Sequence, residues 1–189
     1  MGTFVGVYWS ARPAELPECT VKAVEHFRAL SKGDEGLARW FRTSWRKPKN
    51  PSEVDVESAE AIASLWDVNR RDIDKSAITE LGWTIRLWNG DLNGLSASTS
   101  LHCGSTFAPV SNSAFLSIGG ESTRAIGDSL AIELLRKLVE LWEPDRGTAY
   151  HSASIEDKTE IASYKRSRWP MLWPKNAIRC GNGYIALPS

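Results

Sequence analysis

Pro144-Asp145, ten further residues, then Glu156-Asp157-Lys158 spells the signature of a metal-dependent nuclease. In that chemistry an Asp and a Glu hold a divalent ion, and the Lys orients the attacking water. The geometry requires Glu-x-Lys on a strand beside the Asp. Here Ser154 with Asp157 three on resembles a capping box, and Ile161 and Tyr164 continue a helical pattern. The spacing therefore predicts a short helix over 155–164, which spoils that site. Gly127-Asp128-Ser129-Leu130 spells a lipase motif whose serine works with a histidine in an Asp-x-x-His box. Three residues before His26, His102 and His151 stand Ala23, Thr99 and Thr148, so the box is missing. The tetrapeptide reads better as a helix start capped by Asp128 or Ser129. His102 and Cys103 are strand neighbours that point to opposite faces, and Cys180 and His151 have no partner at ligand spacing. "GGEST" (119–123) lacks the lysine and the following helix of a phosphate loop. No catalytic set, metal site or cofactor is predicted. That favours a binding protein over an enzyme, with a small metal-dependent nuclease or other hydrolase as the alternative.

The elements that would position these residues alternate between two periods. "TFVGVYW" (3–9) alternates like a strand, and Arg12-Pro13 breaks it. Val24, Phe27 and Leu30 sit on a helix over about 14–31 that Gly33 ends. Leu37, Phe41 and Trp45 predict a second helix over about 35–45. Val56, Ala59, Ile62, Ala63 and Trp66 predict a third over about 53–68. "WTIRLW" (83–88), "SASTSLHC" (96–103) and "SAFLSI" (113–118) read as strands, with Asn93-Gly94 as a hairpin signal between the first two. The broad apolar face of Leu130, Leu134, Leu138 and Leu141 opens at Gly127 and predicts a helix lying on a sheet. "IRCGNGYIAL" (178–187) reads as a hairpin around Asn182-Gly183. The sum is an α+β fold, a mostly antiparallel sheet packed against helices in a single domain over 1–189.

Composition narrows the partners. Lys+Arg and Asp+Glu are 23 each, so no global field recruits nucleic acid or an anionic membrane. No apolar run has the length of a membrane helix, and the first residues carry no signal-peptide pattern. Cys19, Cys103 and Cys180 are odd in number and far apart, which predicts reduced thiols in a cytoplasmic protein. Charge is segregated locally. Residues 22–49 hold eight basic and three acidic side chains; residues 50–80 hold eight acidic and three basic. On a helix starting near Glu53, the residues Glu53, Glu57 and Glu60 share an outward flank. Asp67, Asp72 and Asp74 follow. Such an edge either balances the basic 38–49 segment within the molecule or meets a basic partner.

The order of "VYWSAR" (7–12), "LARWFR" (37–42), "LGWTIRLWNG" (81–90) and "PVSNSAFLSI" (109–118) resembles the bacterial immunity 52 family of polymorphic-toxin systems. The resemblance covers roughly residues 3 to 120. It implies a cytoplasmic immunity protein that binds and silences a cognate toxin with a restriction-endonuclease-like nuclease domain. It also leads one to expect further chain after "GNGYIAL", where this sequence ends at Ser189. The matching residues are Trp9, Arg12, Trp40, Leu81, Gly82, Trp88, Asn89, Gly90 and Asn112, and they are expected to be scaffold. Toxin recognition is expected on the acid edge of Glu57, Glu60, Asp67, Asp72 and Asp74, since a nuclease grips phosphates with basic groups.

Overall fold

The computed structural model describes residues 2–42, 51–68, 78–91, 94–119, 126–152, 156–166 and 177–187. In chain order these form β1 (Gly2–Trp9), α1 (Leu16–Gly33), β2 (Trp40–Arg42), β3 (Glu53–Val54), α2 (Ala59–Ala63) and β4 (Asp67–Val68). β5 (Trp83–Trp88), β6 (Ala97–Cys103), β7 (Asn112–Ile118), α3 (Asp128–Trp142), β8 (Arg146–Ser152), β9 (Lys158–Arg166), β10 (Ile178–Cys180) and β11 (Gly183–Ala186) follow. The strands make one antiparallel sheet in the order β10-β11-β9-β8-β1-β7-β6-β5-β2-β3, with β4 also paired to β5. The fold is α+β, as the alternating periods imply.

Register assigns the two faces. Val5 lies opposite Leu116 and Ala149, and Phe4 lies opposite Ser117 and Tyr150. Residues directly opposite each other share a face. One face thus carries Val5, Val7, Trp9, Leu101, Ala114 and Leu116, all buried. α1 and α3 cover it, α3 resting on β1, β8 and β9 and α1 resting on α3. α3 contributes Leu134, Leu135, Leu138, Val139 and Trp142 to this core, as its apolar stripe predicts. Gly147 on β8 lets the helix approach closely, because a Cβ there would come within 3.0 Å of both Leu135 and Val7.

Three predicted helices are replaced, each for a local reason. In place of the helix over 35–42 stand a 3-10 turn, Glu35–Leu37, and strand β2, while 43–45 with Trp45 lie outside the described residues. Trp40 enters the core and Phe41 takes the opposite face across from Trp88, so the apolar residues there alternate rather than form a stripe. In place of 53–68 stand β3, the one-turn helix α2 and β4. Ser58 starts α2 by accepting from the Ala61 amide, and residues 53–57 before it are not helical. In place of 155–164 runs β9. Its register against β8 slips between Ala149 and Tyr150, which inserts Ile161 as an extra residue. The bulge buries Ile161 and Ala162 in succession. That breaks the alternation and produces the spacing that imitates a helix. The C-terminal hairpin is present, with Gly181 and Asn182 rather than Asn182 and Gly183 as its turn. Of the Asn93-Gly94 hairpin signal, Asn93 lies outside the described residues, while β5 and β6 pair as the signal requires.

The expectation of three reduced thiols is corrected as well. Cys19 on α1 and Cys103 at the end of β6 are 84 residues apart, yet the fold brings their Cα atoms to 6.4 Å and joins them in a disulfide. Linear spacing concealed a pair that only the packing of α1 on the sheet creates. Cys180 is free and buried. Denatured without reductant, the protein is expected to take up one thiol label per chain, at Cys180, and three after reduction. Three labels before reduction would show that the bond is absent in solution.

Candidate interaction surfaces

The residues singled out for chemistry do not converge. β8 and β9 form a hairpin in which Arg146 faces Lys165 and Ser152 faces Lys158. Asp145 is therefore at one end of the hairpin and Glu156 and Lys158 at the other. At about 3.3 Å per residue, the length of β8 puts roughly 20 Å between them. The nuclease spacing fails through strand length, not through the helix that the sequence predicts. Asp145 is occupied structurally: it accepts from the Ser10 amide and hydroxyl, both at 2.8 Å, and pairs with Arg166 at 3.6 Å. Burial opposes ionisation there, but these hydrogen bonds with Arg166 and Arg12 hold its carboxyl below the usual range.

The lipase-like tetrapeptide does have a histidine partner, brought by the fold rather than by sequence. The His151 Nε2–H meets Asp128 Oδ1 at 2.8 Å, and His151 Nδ1 lies 2.9 Å from Thr3 Oγ1. This is the order of hydroxyl, base and carboxylate that activates a nucleophile. Thr3, however, is 3% exposed beneath the start of α3, so the hydroxyl is closed to a substrate. The relay ties the first turn of α3 to β1 and β8. Among the described residues no three His, Cys, Asp or Glu side chains gather as a metal site.

The signature residues meet in the protein's interior joints. Trp9 stacks on Trp142 with centroids 5.2 Å apart. The Arg12 guanidinium donates to the carbonyls of Trp142 and Glu143 and so caps the C-terminus of α3, where a cation is favoured. Trp40 is fully buried and donates to the Leu37 carbonyl at 2.9 Å. Gly82 has φ +72°, and a Cβ there would sit 2.4 Å from the Cys103 carbonyl oxygen. Trp88 is half-buried against Phe41 at 5.8 Å. Asn112 accepts from the Ser105 amide and donates to the carbonyls of Ser10 and Ser105.

Asn89 differs from its sequence reading. Asn89-Gly90 is expected to turn the chain because both residues tolerate positive φ. The positive values fall on Gly90 and Asp91 instead. Asn89 is fully buried, and its amide makes four bonds. It donates to Gly36 O and Leu95 O at 2.8 and 2.5 Å and accepts from the amides of Asp91 and Ala97 at 3.2 and 2.8 Å.

The acid edge is built from separate pieces. Glu53 is on β3 and bonds Arg39. Glu57 precedes α2 and bonds Arg28 at 2.6 Å, so part of this charge is balanced within the molecule. Glu60 lies in the first turn of α2, and Asp67 is exposed on β4. Asp72 and Asp74 lie outside the described residues. Since α2 packs on α1 and Asp67 lies opposite Thr84 on the face away from the helices, the edge wraps around one margin of the sheet.

A second surface escapes sequence reading, because it exists only once register is known. On the sheet face away from the helices, the rings of Phe115, Phe4 and Tyr150 stack across β7, β1 and β8 at 5.6 and 5.0 Å. Lys158 lies over Tyr150, and Arg146 over Tyr8. Beside this ladder lies an open groove of about 380 Å³, lined among others by Thr84, Ser100, His102, Phe107, Ser113 and Phe115. His102 donates its Nε2–H to the Leu81 carbonyl at 2.6 Å, which fixes its tautomer. Only the alternation of β1 hints at this in sequence, where Phe4 and Tyr8 share the face that the valines leave. No helix among the described residues is long and apolar enough to cross a membrane. No match is found among curated proteins. The family model described as Immunity protein 52 matches residues 2–169, with the signature residues and the described helices and strands up to β9 inside that span. The chain belongs to the immunity protein 52 family.

Proposed function

We propose that this protein binds and neutralises a cognate nuclease toxin, of the restriction-endonuclease-like kind, in an interbacterial polymorphic-toxin system. The observation that carries the reading is the family match over residues 2–169. The scattered positions of Asp145, Glu156 and Lys158 support it, since they leave no metal-dependent nuclease centre among them. The protein acts as one domain over 1–189, without a cofactor, in the cytoplasm, where a nuclease toxin finds its substrate. The edge of Glu57, Glu60, Asp67, Asp72 and Asp74 presents carboxylates to the basic groups with which a nuclease grips phosphates. An interface of standard size would bury about 800 Å² on each partner.

The test uses the nuclease domain that this reading expects to be encoded beside the gene. The two purified proteins are expected to co-elute at micromolar concentration, and DNA cleavage by the nuclease is expected to stop. Affinity should fall with added salt and with simultaneous reversal of Glu57, Glu60, Asp67 and Asp72 to lysine. Separate elution overturns the reading. So does metal-dependent DNA cleavage by this protein alone that Glu156→Ala abolishes.

A further inference from the structure

The described residues expose two large apolar side chains, Val21 on α1 and Phe107, the latter 50% exposed. Phe107 is held rigidly. The Thr106 and Phe107 amides both donate to the Glu80 carbonyl, at 3.0 and 3.2 Å, and the Ser105 hydroxyl donates to the same oxygen at 3.3 Å. The Val110 amide closes the turn onto the Phe107 carbonyl at 2.9 Å. With the backbone that bears the ring fixed in this way, a partner that covers it has little backbone to order. Phe107 stands at the groove on the sheet face opposite the helices, whose floor combines Phe115 and the Arg86 guanidinium with the hydroxyls of Thr84, Ser100 and Ser113. Two exposed carboxylates border the groove. Asp67 lies opposite Thr84 across β4 and β5, and Glu80 is next to the lining residue Leu81. Apolar centre and charged rim is the anatomy of a protein interface, with aromatic residues enriched at its centre.

We propose that Phe107 and this groove are the anchor point for the toxin's nuclease domain. The inference rests on the function proposed above. The matching element is a protruding loop that places an apolar side chain in the groove and a lysine or arginine over Asp67 and Glu80. The rim is continuous with the acid edge through Asp67. Recognition is thereby centred on the sheet face that no described helix covers, and the edge itself becomes a flank. At the end of the groove beside Thr84 and Leu81 the sign is negative, because Asp67 and Glu80 lie there. A phosphate-gripping surface supplies the basic groups that such a rim attracts, with Arg86 farther along the groove left clear of them.

The experiment measures affinity for the nuclease domain expected beside the gene, by titration calorimetry. It compares wild type, Phe107→Ser, Ser113→Trp and Val21→Ser, with melting temperatures as the fold check. Phe107→Ser removes the anchor and Ser113→Trp fills the groove. Each is expected to weaken binding about 30-fold or more, the size of a hot-spot loss, with an unchanged melting temperature. Val21→Ser, on the helical side, is expected to bind like wild type. If wild type binds and both groove variants bind as tightly, the anchor proposal fails while the toxin reading stands. Loss of binding in Val21→Ser alone moves the interface to the helices and also overturns the proposal. If wild type does not bind, both fall.

Discussion

Replacing Asn89 by alanine is expected to cost about 4 kcal/mol of stability. The residue is fully buried, and its four hydrogen bonds tie the end of β5 to its own turn at Asp91 and to two other segments, at Gly36 and at 95–97. Alanine leaves the carbonyls of Gly36 and Leu95 and the amide of Ala97 without partners in a site that water does not enter. Each unsatisfied buried group costs about 1–3 kcal/mol. Small domains have only about 5–15 kcal/mol in total, so the variant stands near the threshold of folding. Urea unfolding followed by tryptophan fluorescence reads the loss directly. A midpoint displaced by less than the equivalent of about 1 kcal/mol would mean that neighbouring backbone or water satisfies these groups.

Acid should unfold the protein through His26. The ring is fully buried between α1 and the sheet. Trp142 Nε1–H points at its Nδ1 from 3.4 Å, which leaves the proton on Nε2, 3.2 Å from the Thr99 hydroxyl. That hydroxyl donates onward to the Phe115 carbonyl at 2.8 Å. The relay fits a neutral imidazole only. Burial lowers its pKa from the ordinary 6.5 to about 3. The unfolded chain therefore takes up a proton near pH 6.5 that the folded chain refuses until about pH 3. The contribution is complete above 6.5 and is lost as pH falls, by about 1.4 kcal/mol per unit. At pH 4 the loss is about 3 kcal/mol. In a His26→Gln variant, which cannot titrate, the stability gap to wild type should close as pH drops from 7 to 4. A gap that stays constant across that range assigns the acid sensitivity to other groups.

Legibility in the sequence followed the range of the forces involved. β1, β5, α1 and α3 could be read because one period runs through each and each packs on one face. The segments 35–45 and 53–68 could not. Their burial is decided residue by residue by pairing with β5 and by packing on α1, so four-residue spacing there reports tertiary neighbours. At β9 a single extra residue, Ile161, was enough to imitate a helix. β8 carries glycine and polar residues and has no apolar signal, although it lies at the centre of the sheet. Asn89 was visible as a signature but not in its role, because the groups it binds come from Gly36 and Leu95. The same limit hid Thr3, Asp128 and His151, which meet only through the pairing of β1 with β8. The groove around Phe107 had no sequence signal beyond the parity of Phe4 and Tyr8 on β1.

The central position of β1 has a consequence for timing. Val5 is hydrogen-bonded on one flank to the strand of Leu116 and on the other to the strand of Ala149, about 140 residues later in the chain. At translation rates of about 5–20 residues per second, the ribosome needs on the order of ten seconds to make that interval. Until then β1 lacks its β8 neighbour, and the sheet cannot close around it. Completion then still waits on non-local strand pairing, the slow class of folding event. A newly started chain is thus unfolded, and unable to bind a partner, throughout that interval. Under the function proposed above, protection would draw on molecules finished beforehand, so a standing stock would be needed.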